Sequence, residues 1–153
     1  MTHDILGKRL NVKMAALAAL IAYLIGVAAF VGSFFAPILQ SPETQANVVL
    51  GIAIIPAALL GAHFYYRHTY STNGFILGAF MFSIIMALDA LITVPLFIIP
   101  AGGSHFDFFT APSFWIIGLE LILTVALYWR IRMYRTVHNE FTSQTLNGEA
   151  SNH

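Results

Sequence analysis

Two acids stand alone inside long apolar stretches of this chain, Asp89 and Glu120. A charged carboxylate at mid-bilayer costs about 2.5–3.5 kcal/mol on insertion scales. Each acid must therefore be paired, hydrated or protonated if its segment crosses a membrane. A threonine follows each by four positions, Thr93 after Asp89 and Thr124 after Glu120, with Tyr128 four further on. On a helix that spacing sets acid and hydroxyls on one stripe. Tyr23 and Ser33, in the first apolar run, are further polar groups that could join them. Two close carboxylates in low dielectric do not both ionise cheaply, so at least one is expected to hold its proton near neutral pH. A proton shared between them would be a strong interhelical hydrogen bond. Such a pair could relay a proton or cation, or bind a cationic or polar amphipathic solute. Equally, the acids could be protonated glue that fixes helix register. A third arrangement turns them toward lipid near the outer surface.

The elements that must carry these residues are set by composition. Of 153 residues, 58% are hydrophobic and only 9% charged, with zero formal net charge and no cysteine. A soluble domain carries about 25% charged residues to wet its surface, so a soluble globule is excluded. The lack of basic excess excludes a nucleic-acid partner, which requires a cationic footprint. Without cysteine there is no disulfide, thiolate metal site, iron–sulfur cluster or cysteine nucleophile.

Four apolar runs are long enough to cross a hydrocarbon core: about 14–35, 48–66, 75–99 and 114–129. None alternates like a strand, and in lipid a helix satisfies its own backbone. The first run exceeds the about 7–15 apolar residues of a cleavable signal, so it reads as a retained anchor. The expected fold is all-α, a four-transmembrane-helix bundle over residues 1–135 running up-down-up-down, with a polar, solvated and unstructured tail over 136–153.

Basic residues orient it. Lys8, Arg9 and Lys13 precede the first run, Arg67 lies between the second and third, and Arg130, Arg132 and Arg135 come after the fourth. The other two loops, 36–47 and 100–113, carry Glu43 and Asp107 and no Lys or Arg. By the positive-inside rule both termini are cytoplasmic, and the protein is multi-pass in its membrane. Tyr65, Tyr66, Tyr128 and Trp129 fall at the inner interface, where amphipathic rings prefer to lie. The connection from His68 to Asn73 is short enough to make spans two and three an antiparallel hairpin. Pro37 and Pro42 stop the first span, and Pro100, Gly102 and Gly103 break the third. The aromatic loop His105–Phe109 either lies flat on the outer surface or folds over the bundle mouth.

Small residues mark where backbones approach closely. Ala18, Ala22 and Gly26 recur at steps of four in span one, as do Ala53, Ala57 and Gly61 in span two, and Gly74 with Gly78 opens span three. These stripes serve intramolecular packing or a homodimer. Pro56 and Pro95 should kink their helices and free the carbonyls of Ile52 and Leu91. Asp89 lies eleven positions before Pro100 and Glu120 seven after Ser113, roughly 16 and 10 Å of helix. That puts both between midplane and outer interface, about one turn apart.

Other chemistry is sparse. His63, Arg67 and His68 cluster at the inner end of span two, but no other span holds a histidine that could complete a haem site, so no cofactor is expected. His105 and Asp107, with Glu43, make an incomplete metal set, and no metal is expected. No phosphate loop, nucleophile elbow or zinc helix occurs, so no catalytic residue is named. Arg130, Arg132 and Arg135 read as a topology determinant that touches anionic lipid.

From Ser71 to about Arg130 the chain resembles a family of small uncharacterised bacterial four-helix integral membrane proteins. The resemblance rests on Met86-Ala87-Leu88-Asp89-Ala90, the exit Leu96-Phe97-Ile98-Ile99-Pro100 and the opening Ser113-Phe114-Trp115 of the fourth helix. It implies the four-helix architecture and points to Asp89; it implies no reaction. Small multidrug transporters differ, since their essential carboxylate lies in the first span and this first span has none. Two functional classes stay open. One is a membrane protein that binds, senses or transports a proton, cation or small amphipathic solute at Asp89 and Glu120. The other is a non-catalytic accessory subunit of a larger membrane complex, in which the acids are structural. A lipid-modifying enzyme is the weakest reading.

Overall fold

The computed structural model describes residues 10–36, 38–68 and 72–150, with side chains to residue 135. Lys8, Arg9, Pro37 and the last residues of the tail, 151–153, lie outside the described residues. The described residues form helices and turns with no strand: α1 Val12–Ser33, α2 Pro42–His68, α3 Gly74–Leu88 continued by a π-helical segment Asp89–Ile98, a short α4 His105–Thr110, and α5 Pro112–Ala150. Four stretches are long and apolar enough to cross a membrane: Val12–Ser33, Pro42–His68, Gly74–Ile98 and Pro112–Arg135.

Local chemistry sets the boundaries. The Asn11 side chain accepts from the Met14 amide and opens α1; Asn73 accepts from Phe75 and opens α3. Ser104 caps α4 by accepting from the Asp107 amide. Such caps satisfy amides that have no partner within the helix. Pro42, expected to stop span one, instead starts α2, and Pro112 starts α5. Proline suits the first helical position because its missing N–H has no helical partner there. The sequence predicted a structureless tail after Arg135, whereas α5 continues to Ala150. A propagating helix adds one bond per residue, and no proline interrupts this stretch.

The four long elements share one core, with Ala15, Ala22, Ala58, Tyr65, Met81 and Leu121 buried together. α1 packs on α2 and α3, and α5 packs on the same two. Consecutive spans two and three are thus not the side-by-side pair that their short connection suggested. Small residues, rather than loop length, choose the neighbours. A Cβ on Gly61 would lie 2.7 Å from the Ala18 carbonyl oxygen, and one on Gly26 would meet Leu50 at 3.3 Å. The small-residue stripes of α1 and α2 therefore face each other. A Cβ on Gly74 would meet the Ala126 Cα at 2.8 Å, and one on Gly78 the Ile122 Cα at 2.9 Å. The GxxxG pair of α3 is consumed inside the molecule by α5. Large apolar side chains such as Leu24, Leu60, Leu91 and Ile116 stay exposed on the outside, a surface suited to acyl chains.

Candidate functional site

Pro95 shapes the site. The third span changes from α to π register at Asp89, and the Ile99 amide bonds the Val94 carbonyl five residues back at 2.9 Å. In that register the amide missing from Pro95 would have served Ala90, not Leu91 as α geometry predicts. The Ala90 carbonyl instead accepts from His105 Nε2 at 3.0 Å. The imidazole N–H thus replaces the lost bond and ties α4 to the segment. Gly102, at φ +92, makes the reversal that brings the chain back. Substituting His105→Ala should cost about 1 kcal/mol, since water can partly replace this exposed bond. His105→Gln, which keeps a donor, should recover much of the loss in thermal unfolding of the detergent-solubilised protein.

The π segment points Asp89 and Thr93 toward α1. Thr93 Oγ1 donates to Asp89 Oδ1 at 2.7 Å, and the Tyr23 hydroxyl lies 3.0 Å from Thr93 Oγ1. With the threonine proton on the carboxylate, the tyrosine is the donor, giving a chain Tyr23 to Thr93 to Asp89. Tyr23 and Thr93 are buried, while Asp89 is only half-buried.

Asp89 opens onto a cavity of about 860 Å³ between α1, α2, the π segment, α4 and α5. Phe30, Phe34, Phe82, Phe97, Phe108 and Phe114 line it, with Tyr23 beside the acid. Glu43 and Asp107 also reach the lining, and among the described residues no Lys, Arg or His does. Of the two arrangements expected for the aromatic loop, α4 folds back over the helices. Phe108 and Phe109 pack on Phe114 with centroids 5.3 and 5.1 Å apart.

The expected pairing of the two acids does not form. No hydrogen bond joins Glu120 to Asp89, Glu120 does not line the cavity, and neither acid is buried. The Glu120 Oε2 instead lies 3.9 Å from where a Gly51 Cβ would stand on α2. The reason is angular. Gly118 faces the Phe82 ring of α3, and Glu120 lies two residues on, roughly 200° around the helix. Packing Gly118 on α3 therefore turns Glu120 to α2. Thr124 and Tyr128 leave the site with it. Tyr128 lies 3.0 Å from His63 Nδ1 and stacks on Tyr66, far along α5 from the cavity. Ser33 donates to the Phe30 carbonyl. His105 and Asp107, weighed for a metal, are held by the Ala90 carbonyl and Ser104. Among the described residues no group of three His, Cys, Asp or Glu could hold a metal ion.

Gln45, which carried no expectation, organises the cavity rim. Its Nε2 donates to the Ser33 and Ala36 carbonyls at 2.6 and 2.8 Å, and its Oε1 accepts from the Ile38 and Leu39 amides at 2.7 and 2.8 Å. The only signal in the sequence is an amide side chain, one of two with Asn47, in the first turns after a proline-bounded loop.

The profile of a family of unknown function, DUF5367, matches residues 38–131. No curated protein and no solved structure matches the chain.

Proposed function

Because the chain belongs to the DUF5367 family of unknown function, we propose a role from its own residues: a multi-pass membrane protein that takes up a small cationic or amphipathic solute in the cavity at Asp89, to bind, sense or transport it. In this reading the helices run up-down-up-down in a bacterial cytoplasmic membrane with both termini cytoplasmic, and lipid covers the exposed apolar faces. The segregation of Lys13, Arg67, Arg130 and Arg135 from the loops bearing Glu43 and Asp107 supports that orientation. The cavity then faces outward. The observation that carries the proposal is its size together with its charge. At about 860 Å³ it falls in the range of small-molecule sites, and among the described residues its ionisable lining groups are acids or tyrosine.

The absence of cysteine permits a clean test. Phe30→Cys, in the cavity, should react with a membrane-impermeant maleimide in intact cells, whereas Leu24→Cys, on the lipid face, should not. A thiol needs water to ionise and react. Equal inertness of both would mean that lipid fills the space, and the reading fails.

The alternative, an accessory subunit with structural acids, attaches to Glu120, which lies against α2 outside the cavity. Glu120→Gln should leave solute-dependent stabilisation unchanged while Asp89→Asn removes it. Loss with Glu120→Gln and none with Asp89→Asn would invert the assignment.

A further inference from the structure

Resting on the cavity reading above, we infer that the solute is an organic cation with a bulky apolar body, rather than a proton, an inorganic ion or a neutral amphiphile. The chemistry of the lining separates these. A hard cation such as Ca²⁺ takes about six to eight oxygen ligands, and Mg²⁺ an octahedral oxygen shell completed by several waters. Asp89 has only Thr93 and, through it, Tyr23, and the acids Glu43, Asp89 and Asp107 do not gather into a metal-holding group. A dedicated proton path needs a file of polar groups, but beyond the Tyr23–Thr93–Asp89 chain the walls are mostly phenylalanine and aliphatic side chains. A cavity of about 860 Å³ is also far larger than a hydrated proton requires.

Each of these features suits a large, weakly hydrated cation. Aromatic faces attract a cationic centre through their quadrupoles, and most strongly where the cation has lost its water. Phe30, Phe82 and Phe114 come from three different helices and supply such faces around one space. Asp89 is the single carboxylate among them, at the edge of the π segment, with one oxygen bonded to Thr93. Its other oxygen accepts no hydrogen bond among the described residues. Glu43, in the first turn of α2, and Asp107, on α4, are exposed at the mouth and give an inward-drawing field. Among the described residues no basic side chain in the lining balances that field, so an anion is rejected by the same charges that draw a cation in.

The test uses the full chain in nanodiscs of uncharged lipid, with empty discs subtracted, and titration calorimetry with tetraphenylphosphonium. Two near-isosteric probes accompany it, the anion tetraphenylborate and the neutral triphenylphosphine oxide, and sodium chloride serves as the inorganic cation. Saturable binding of the phosphonium alone is expected. Asp89→Asn should weaken it about tenfold or more, as loss of a close charge partner does. Val27→Trp, which fills the cavity from α1, should abolish it. If the borate or the oxide binds the wild type as tightly, and Val27→Trp removes that binding too, the cavity stands and the preference for a cation is overturned. If no probe binds saturably, or Val27→Trp changes nothing, the cavity reading falls with it. Should Asp89→Asn fail to fold, Glu43→Gln with Asp107→Asn at the exposed mouth decides the matter. That variant should weaken phosphonium binding by a few-fold and flatten its salt dependence; unchanged affinity and salt dependence would overturn the inference.

Discussion

Replacing Gly61 with leucine should abolish the folded protein or leave it severely destabilised in detergent, while Gly32→Leu should be close to neutral. A Cβ at Gly61 would lie 2.7 Å from the Ala18 carbonyl oxygen and 2.9 Å from the Met81 Cε. Met81 could swing aside, but Ala18 is backbone, so α1 and α2 would have to separate. Overpacking a core typically costs about 1–3 kcal/mol, and a clash with backbone at the closest point of a helix pair belongs at the upper end or beyond. In lipid the loss is amplified, because helix association there depends on packing rather than on escape from water. At Gly32, by contrast, an added Cβ meets nothing within 4 Å. Thermal unfolding followed by helix content would compare the two. Similar stabilities would mean that α1 and α2 do not approach as described.

Gln45→Ala should produce the second large loss. Gln45 is only 5% exposed, and its amide answers two carbonyls and two amides of the α1–α2 loop. Removing it leaves those backbone groups without a partner at the rim of the cavity. Each buried unsatisfied group costs about 1–3 kcal/mol, though water reaching the exposed side of the loop would lower the total. A net loss of about 2–4 kcal/mol is expected on that basis. Gln45→Glu should also be destabilising, since a carboxylate accepts from Ile38 and Leu39 but cannot donate to Ser33 and Ala36. If Gln45→Glu were as stable as wild type, the two donated bonds would carry no weight. The same variants should loosen the cavity mouth, because Ser33 ends the helix that bears Phe30 and Ala36 closes the turn that bears Phe34.

Membrane character was legible because it depends on sums over a window. Twenty apolar residues need a helix whatever their neighbours are, and the four long helices lie where hydropathy puts them. Boundaries were less so. Pro42 reads equally as a stop for the helix before it and as a start for the helix after it, and only the Ser41 cap on Thr44 shows which role it takes. The small-residue stripes were legible as surfaces of close approach, but not their partners. Gly74 and Gly78 could have met another copy as readily as α5, and the backbone of Ile122 and Ala126 settles that within this chain.

The site was half legible. The i, i+4 link of Asp89 to Thr93 survived, and Tyr23 joined it from α1. Glu120, Thr124 and Tyr128 did not join, because a periodicity states which residues share a face and not which neighbour that face meets. His105 was weighed for a metal and not as this donor for a related reason: its partner, the Ala90 carbonyl, is left unpaired by the π register around Pro95, and that register cannot be read from spacing.

Composition and local chemistry, which act over a few turns, were enough to make this chain helical, apolar enough to cross a membrane at four places, and acidic at one set of loops. Which helices touch, which acid opens onto a cavity and which turns away depended on how the helices pack. Rotating a helix by a few tens of degrees about its axis changes none of its internal hydrogen bonds, so only contacts between helices, at Gly61, Gly78 and Gly118, select the angle.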